Sequence, residues 1–254
     1  MTNASSHLFD LTGKRALITG GSRGIGVEVA KGLAEFGAEV CLLARSAEAL
    51  EVACADIRRD GGKAEAIITD ICDRAAVSEI LEGRPAFDIL INNAGVNYPT
   101  AFLDVTETEF DAIFSLNVEA AYFVAQSVAR RLVKENRPGS IINMSSQMGH
   151  VGAVNRTVYC GSKHAMEGWT KAMAIELGPH NVRVNTICPT FIETPMTAGF
   201  FENETFKAEV ISKIKLGRIG NMPELVGAAV YLASDASSLV TGSALKVDGG
   251  WTAE

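Results

Sequence analysis

The sequence predicts a doubly wound α/β fold, in which a parallel sheet of seven strands carries helices on both faces. Short apolar runs alternate with longer amphipathic stretches along the 254 residues. Each run is too brief for a helix, is rich in Ile, Val and Leu, and is bounded by Gly, Asn, Asp or Pro. Such runs are typical of strands buried in a parallel sheet, and their repeated alternation with helices indicates an α/β architecture.

These patterns place the individual elements along the chain. The predicted strands are 15–19, 39–44, 64–69, 87–92, 139–144, 182–187 and 243–247. The helical patterns include 24–36, 47–59, 107–135 and 158–178. No Pro/Gly/Ser-rich linker, repeat or low-complexity segment divides the sequence, and 47% apolar residues suffice for one sizeable core. We therefore expect a single domain over 1–254.

Composition excludes several classes of protein. The net charge is −7, with 30 acidic against 23 basic residues, which disfavours nucleic-acid binding because phosphate needs a basic face. The five cysteines form no CxxC pair, so neither a disulfide framework nor a metal site is expected. The first residues lack the pattern of a signal peptide, and we find no apolar run of about 20 residues that could span a membrane. We expect a soluble cytoplasmic protein.

A glycine-rich stretch, "TGGSRGIG" at 19–26, follows the first predicted strand and opens a helix. Glycines at 20, 24 and 26 let the backbone turn sharply and approach a ligand, and the helix offers its free N–H groups to a pyrophosphate. The spacing differs from the commoner G-x-G-x-x-G, and any strand-to-helix turn favours glycine. The position of the stretch favours dinucleotide binding, and its predicted cofactor contacts are Gly20, Ser22, Arg23, Gly24, Ile25 and Gly26.

Polar and special residues also follow the other predicted strands. They are Asp70 and Ile71 after the third strand, Asn93, Ala94 and Gly95 after the fourth, Ser145 and Ser146 after the fifth, and Pro189 and Thr190 after the sixth. In an open α/β sheet, ligands bind beyond the carboxyl ends of the strands. Each residue alone is explained equally well by a turn or a cap, but together they predict a binding site at this edge.

These motifs, taken in order, resemble the short-chain dehydrogenase/reductase family over essentially the whole chain. The glycine stretch is joined by "NNAG" at 92–95, Asn117 within "LNV", a serine after the fifth strand and "YCGSK" at 159–163. The resemblance implies a Rossmann-type fold and reversible hydride transfer between a nicotinamide cofactor and a small carbonyl or alcohol. It also implies a homotetramer, for which 107–135 and 158–178 would supply the interface.

One segment departs from the family pattern. After the sixth strand the family usually has Pro-Gly, whereas this chain reads "CPTFIETPM" with Thr190 in the place of the glycine. The change bears on the shape of the nicotinamide pocket. The residues Pro189, Ile192 and Thr194 still fit the pattern of cofactor contacts.

Tyr159 and Lys163 are four residues apart, so on a helix they share one face. A phenol has a pKa of about 10, too high for a base at neutral pH, and a neighbouring ammonium together with a bound nicotinamide cation should lower it. We interpret Tyr159 as the general acid/base. The resemblance implies that Lys163 also binds the nicotinamide ribose, that Ser146 holds the substrate oxygen, and that Asn117 holds a water linking Lys163 to solvent. The alternative is a core-edge Tyr159 with Lys163 extending to solvent.

The end of the second strand bears on which cofactor is bound. Enzymes that use NAD usually carry an acidic residue there to bind the ribose 2′-hydroxyl, but this chain has Ala44 followed by Arg45. A guanidinium suits a 2′-phosphate, and Arg23 could flank it, although either arginine could be merely solvated. The sequence therefore favours NADP(H) over NAD(H).

The substrate is the least determined feature. Segment 195–222 lies where the family has its mobile substrate lid, and its Phe200, Phe201 and Phe206 either line a pocket or pack against it. The segment "PTFIETPM" and the tail resemble sugar-acid and polyol dehydrogenases, such as those acting on gluconate, while 3-oxoacyl-carrier-protein reductases share most of the motifs. Cys160 is interpreted as a small core residue rather than a redox-sensitive thiol.

A non-catalytic dinucleotide-binding sensor is the alternative of another class. Sensors that retain this fold tend to lose the tyrosine or the lysine, whereas Asn117, Ser146, Tyr159 and Lys163 are all present here. The sequence therefore favours an enzyme.

Overall fold

The computed structural model describes residues 7–194 and 197–254. The strands are Arg15–Thr19 (β1), Glu39–Ala44 (β2), Lys63–Ile68 (β3), Ile89–Asn92 (β4), Gly139–Met144 (β5), Val182–Pro189 (β6), Ile192–Glu193 (β7), Gly220–Asn221 (β8) and Ala244–Val247 (β9). The α-helices are Gly24–Glu35 (α1), Ala47–Arg59 (α2), Arg74–Glu82 (α3), Glu107–Phe114 (α4), Ala121–Lys134 (α5), Thr157–Leu177 (α6), Glu204–Lys213 (α7) and Pro223–Ala233 (α8).

Seven parallel strands form the main sheet, in the order β3-β2-β1-β4-β5-β6-β9. The predicted fold class is confirmed, and the predicted strand bounds are displaced by no more than two residues. The short pair of β7 with β8 was not predicted, because two-residue strands leave no apolar run in the sequence. The strand order reverses between β1 and β4, and a crevice for ligands opens at such a point beyond the carboxyl ends of the strands.

The two faces of the sheet bury separate apolar clusters, as the alternation of side chains along a strand requires. Leu17 and Ile18 are neighbours on β1 and are both fully buried on opposite faces. Leu17 joins the cluster that contains residues of α3, α5 and α6. Ile18 joins the cluster that contains residues of α1, α2 and α8. Helices on both faces therefore hold the strand ends in fixed positions.

The predicted helix 107–135 is continuous but not uniformly α-helical. Between α4 and α5 the chain forms a π-helical segment, Ser115–Ala120, which contains the fully buried Asn117. π-Helical turns in longer helices occur frequently at functional sites. Extended over 107–135, α-helical spacing predicts that Phe110 shares the inward face with Asn117, but Phe110 is 45% exposed and stacks on Phe114. Because the π segment inserts an extra residue per turn, a single α-helical stripe cannot describe both halves.

Taken together, α4, the π segment and α5 form a helix of 28 residues that is long and apolar enough, by length and composition, to cross a membrane. In this structure the apolar side chains along one face of α5 belong to the core. Val124, Val128 and Leu132 are almost completely buried among residues of the sheet and of α3 and α6. The helix therefore has the packing expected of a core element.

The predicted lid, 195–222, contains α7 and β8. Pro195, Met196 and the side chain of Phe200 lie outside the described residues. Phe201 and Phe206 both contact the ring of Phe191, with ring centroids 6.0 and 5.7 Å away. The segment thus covers the carboxyl edge beside β7, and its mobility stays a prediction.

Candidate active site

The glycine-rich stretch forms a close-packed turn between β1 and α1. Gly20 and Gly24 have φ of +64° and +61°, which side chains disfavour. A Cβ on Gly26 would overlap the carbonyl oxygen of Gly20 and lie 2.6 Å from the side-chain amide nitrogen of Asn93. Helix α1 begins at Gly24, and the side chain of Arg23 at its N-cap has no acceptor with which to cap the first-turn N–H groups. These groups can therefore meet a pyrophosphate.

Thr19, at the end of β1, binds this turn to the end of β4. Its hydroxyl accepts hydrogen bonds from the backbone N–H groups of Asn93 (3.0 Å) and Ala94 (3.1 Å). The side-chain amide of Asn93 donates in return to the carbonyl oxygens of Thr19 and Gly20. The predicted contacts of the two loops are thus brought together. Sequence reasoning missed Thr19, although its hydroxyl at a strand end directly before a glycine was a usable signal.

Arg45 and Asp70 lie at the ends of β2 and β3. The two side chains approach to 4.0 Å, and both are largely exposed. An exposed ion pair at this distance adds little stability, so the guanidinium of Arg45 is free to bind a phosphate instead. Asp70 accepts a hydrogen bond from the backbone N–H of Cys72 and shapes that turn.

The remaining predicted cofactor contacts differ in how far their side chains are exposed. Within the glycine stretch, Ser22 and Ile25 are half-buried and Arg23 is exposed. The side chains of Ile71 and Ile192 are buried in the two apolar clusters. They can therefore reach a cofactor mainly through their backbone.

Pro189, Thr190 and Thr194 border the nicotinamide end of the site that the resemblance implies. Pro189 ends β6 and is buried. Thr194 closes a turn by hydrogen bonds between its hydroxyl and backbone and those of Thr197. Within the described residues, the buried hydroxyl of Thr190 has no hydrogen-bond partner. A buried polar atom without a partner is costly, and a polar ligand group would supply one, so these residues fit a nicotinamide dinucleotide.

The Tyr-x3-Lys pair lies on the first turns of α6, beside the end of β5. The ammonium of Lys163 is buried and donates to the carbonyl oxygen of Met144, 2.7 Å away. It lies 5.6 Å from the centre of the Tyr159 ring. Ser146, just beyond β5, is buried, and its hydroxyl accepts a hydrogen bond from the backbone N–H of Met148 and donates to the side chain of Gln147. Three of the four predicted catalytic residues therefore meet at one edge.

Asn117 is connected to the site by hydrogen bonds to Val96 and Ser162. Its side-chain oxygen accepts from the backbone N–H of Val96 (2.8 Å), and its amide donates to the carbonyl oxygen of Val96 (2.9 Å). The amide also donates to the hydroxyl of Ser162, the residue before Lys163. Asn117 thus joins the loop after β4 to α6, and its role in holding a water stays a prediction.

Burial has the largest effect on the pKa values of Tyr159 and Lys163, the predicted catalytic pair. Burial raises the pKa of Tyr159 to about 12, while a hydrogen bond with Ser146 and the charge of Arg156 act in the opposite direction. Burial lowers the pKa of Lys163 to about 8, against the effects of Cys188 and Glu167. In the protein chain alone, loss of solvent is the largest influence on the phenol of Tyr159 and raises its pKa. Tyr159 is thus a protonated acid at neutral pH. The lowering that we expect from the ammonium together with a bound nicotinamide cation stays a prediction.

Behind Lys163 lies a buried polar cluster that the sequence did not indicate. The thiol of Cys188 donates to Glu167 at 3.3 Å, and the hydroxyl of Thr186 donates to the same carboxylate at 3.1 Å. The ring nitrogen Nε2 of His150 is 3.4 Å from the sulfur of Cys188 and 3.7 Å from the carboxylate of Glu167. His150, Glu167 and Cys188 could in principle hold a metal ion.

Protonation of the thiol disfavours that use of the cluster. Burial raises the pKa of Cys188 to about 12, with Glu167 adding to the effect. A metal ion binds the thiolate, so it would have to displace this proton inside the fold. The hydrogen bonds already satisfy the buried carboxylate, and we treat the cluster as a structural network. The absence of a metal site stays a prediction.

A cavity of about 460 Å³ adjoins the predicted catalytic residues. It lies between the loop after β5, α7 and the C-terminal turn, and is lined by Pro99, Met148, Ala153, Val154, Asn155, Arg156, Phe191, Gly199, Asn203, Phe206, Glu209, Val210, Lys213 and Trp251. The contact of Met148 with Ser146 and the effect of Arg156 on Tyr159 connect it to the site. The arrangement can therefore hold a small substrate with its reacting carbon beside Tyr159.

The packing of the glycine turn generates a first prediction. Replacement Gly26→Ala should abolish dinucleotide binding, or weaken it at least tenfold, because the added methyl group cannot fit against Gly20 and Asn93. Titration of the purified protein with NADPH, followed by its fluorescence, measures this. Gly227→Ala on α8 is the control, since a Cβ there would meet nothing within 4 Å. Unchanged affinity in Gly26→Ala would refute the assignment of the turn.

The comparisons with known proteins agree with this geometry. Residues 20–252 match a short-chain dehydrogenase/reductase family model described as enoyl-(acyl carrier protein) reductase. The chain is 39% identical to L-xylulose reductase from Bos taurus over 96% of this chain and 98% of that protein. It is 40% identical to gluconate 5-dehydrogenase from Gluconobacter oxydans, over 96% and 97% of the two chains.

A solved structure shows the same fold. The gluconate 5-dehydrogenase of Burkholderia cenocepacia, determined in complex with NADP and tartrate, superposes with a TM-score of 0.94 at 33% identity and covers 98% of this chain and 99% of its own. The motifs, the fold and the relatives thus agree over nearly the whole length. The chain belongs to the short-chain dehydrogenase/reductase family and is an oxidoreductase of CH–OH groups.

Proposed function

We propose that this enzyme reversibly oxidises a secondary alcohol of a sugar acid or polyol with NADP(H), and that Tyr159 is its general acid/base. The observation that carries the proposal is the meeting of Tyr159, Ser146 and Lys163 between the glycine turn and the cavity. The named activities of the relatives, on xylulose and gluconate, support a sugar-like substrate. The presence of NADP in the neighbouring structure supports the phosphorylated cofactor.

The protein residues would act in a defined order during reduction. The bound nicotinamide supplies or accepts the hydride. The hydroxyl of Ser146 holds the carbonyl oxygen and stabilises the charge that develops there. Tyr159, which burial keeps protonated at neutral pH, donates its proton to that oxygen. In the reverse direction Tyr159 must first lose the proton, so oxidation of the alcohol should become faster as the pH rises.

Lys163 would bind the cofactor and supply a positive charge beside Tyr159. Its ammonium has three donors, of which one is used by the carbonyl oxygen of Met144. The others can bind the nicotinamide ribose. Since burial lowers the pKa of Lys163 to about 8, binding of a polar ribose would favour its charged form. That positive charge in turn favours the phenolate of Tyr159.

A spectrophotometric screen tests the activity and the role of Tyr159 together. The wild type should turn over gluconate or a polyol with NADP, and Tyr159→Phe should lose on the order of 10²- to 10⁴-fold in kcat, the factor typical of general acid–base catalysis. Its NADPH affinity should stay near the wild-type value. Tyr122→Phe, which removes a hydroxyl on α5, is the matched control.

Each other outcome of the screen contradicts part of the proposal. Persistent activity in Tyr159→Phe would overturn its assignment as acid/base. Reduction of an acetoacetyl thioester, with no turnover of the other substrates, would indicate a 3-oxoacyl-carrier-protein reductase. Tight binding of NADPH with no turnover of any substrate in the panel would favour the sensor.

The proposed preference for NADP(H) rests on Arg45. Replacement Arg45→Asp should shift the ratio of kcat/KM for NADP over NAD by about 10- to 100-fold toward NAD, since a hydrogen bond to a charged group is lost and a repulsion is added. Arg130→Asp on α5 makes the same change of charge away from the turn. An unchanged ratio in Arg45→Asp would exclude this role.

We also propose that the enzyme is a homotetramer. An apolar groove between α4 and α6 is lined by Phe110, Phe114 and Val158, among others. Phe102 and Leu103 at its border are 71% and 90% exposed, and exposed apolar patches of this kind mark interaction surfaces. Light scattering should give four times the 26.9 kDa chain mass, and Phe102→Asp should lower it. A monomer in the wild type would refute the proposal.

A further inference from the structure

The cavity beside the catalytic residues is unevenly charged. Its charged lining residues are Arg156, Glu209 and Lys213, two cations and one carboxylate. The ammonium of Lys213 lies 2.7 Å from the carboxylate of Glu209, one turn earlier on α7, so these two charges offset each other. The lining therefore carries a net positive charge, and Arg156 is its source.

Arg156 is placed deep in the site rather than at its rim. Its exposure is 6%, although arginine is seldom so buried. It precedes α6 at the N-cap position, three residues before Tyr159, where the helix end adds positive potential. One nitrogen, Nη1, donates to the carbonyl oxygen of Asn155 at 3.1 Å, and Asn155 has φ of +58°. This turn fixes where the guanidinium lies.

Burial of a guanidinium constrains what can fill the cavity. Burial lowers the pKa of Arg156, but arginine keeps its proton at any working pH. An ionised group in a poorly solvated cavity favours a partner of opposite charge over a neutral one. The planar fork of N–H donors matches the two oxygens of a carboxylate. A hydroxyl offers one oxygen and no charge in return.

We propose that Arg156 is a specificity-determining residue that binds the carboxylate of the substrate, so that the enzyme acts on sugar acids and other polyhydroxy acids rather than on neutral polyols. The inference rests on the proposed function and deepens it. The carboxylate would lie in the cavity while the reacting carbon lies beside Tyr159 and Ser146. Phe191, whose ring contacts those of Phe206 and Trp251 in the cavity wall, would cover the carbon chain together with them.

Pairs of substrates that differ in one group test this directly. Gluconate and sorbitol have the same six-carbon chain with and without the carboxylate, and both are assayed with NADP. Arg156→Met should lower kcat/KM for gluconate on the order of 10- to 100-fold, as expected for a lost hydrogen bond to a charged group, mainly through KM. Because the charge of Arg156 also acts on Tyr159, kcat/KM for sorbitol should fall too, but by a factor at least about threefold smaller than for gluconate. Arg156→Lys should retain part of the preference.

The control is Lys213→Met, which removes the other cation of the cavity wall. It should alter the two substrates equally and by a small factor, because the charge of Lys213 is already offset by Glu209. NADPH affinity and the melting temperature of each variant show whether the fold is retained. An equal loss for gluconate and sorbitol in Arg156→Met would mean a structural role and would overturn the inference.

Inhibition of the wild type gives a second readout that needs no variant. Tartrate and threitol share a four-carbon skeleton and differ by their carboxylates. Tartrate should compete with the substrate at least tenfold more strongly than threitol. Equal inhibition would contradict the inference.

The outcomes separate this inference from the proposed function. If the wild type oxidises sorbitol and other polyols with NADP but discriminates against gluconate, the function stands and the role of Arg156 fails. If neither class is oxidised or reduced, the proposed function itself fails.

Discussion

A buried ammonium is the constraint on which the rest of this site depends. Lys163 is almost completely removed from solvent, and an unpaired charge there would be costly. The carbonyl oxygen of Met144 at the end of β5 satisfies one donor, and the carboxylate of Glu167 lies on the next turn of α6. This contact requires α6 to lie against the carboxyl end of β5. Because Tyr159 is on the same helix face, it is placed beside Ser146 by the same packing.

Much of the architecture could be predicted because it is encoded locally. Apolar runs of strand length are visible without knowledge of their neighbours, and the turn between β1 and α1 needs glycine for reasons of backbone space that hold in any context. The edge of the sheet on which the site lies could also be predicted, because the carboxyl ends of parallel strands all lie at the same edge. The bounds of β3 and β4 moved slightly, because hydrogen bonding with a neighbouring strand decides where a strand ends.

What could not be predicted depends on contacts between distant parts of the chain. The role of Thr19 requires the loop after β4 to be within hydrogen-bond distance. In the protein chain alone, burial sets the direction in which the pKa of Tyr159 shifts, and the sequence does not specify burial. His150, Glu167 and Cys188 come from three elements and carry no motif. Phe110 was placed inward because α-helical spacing was extended through a segment that does not keep it.

The π-helical segment has a consequence for how this chain can change by insertion or deletion. In an α-helix each residue advances the side-chain direction by about 100°, and a π turn takes up one extra residue without passing that rotation on to the helix that follows. Removal of one residue from Ser115–Ala120 would therefore join α4 and α5 as one regular α-helix, with Val124 and Leu132 still facing the core. What would be lost is the widened turn that presents Asn117, so the extra residue serves the site rather than the packing of α5. A deletion within α5 itself would instead turn its apolar face away from the core.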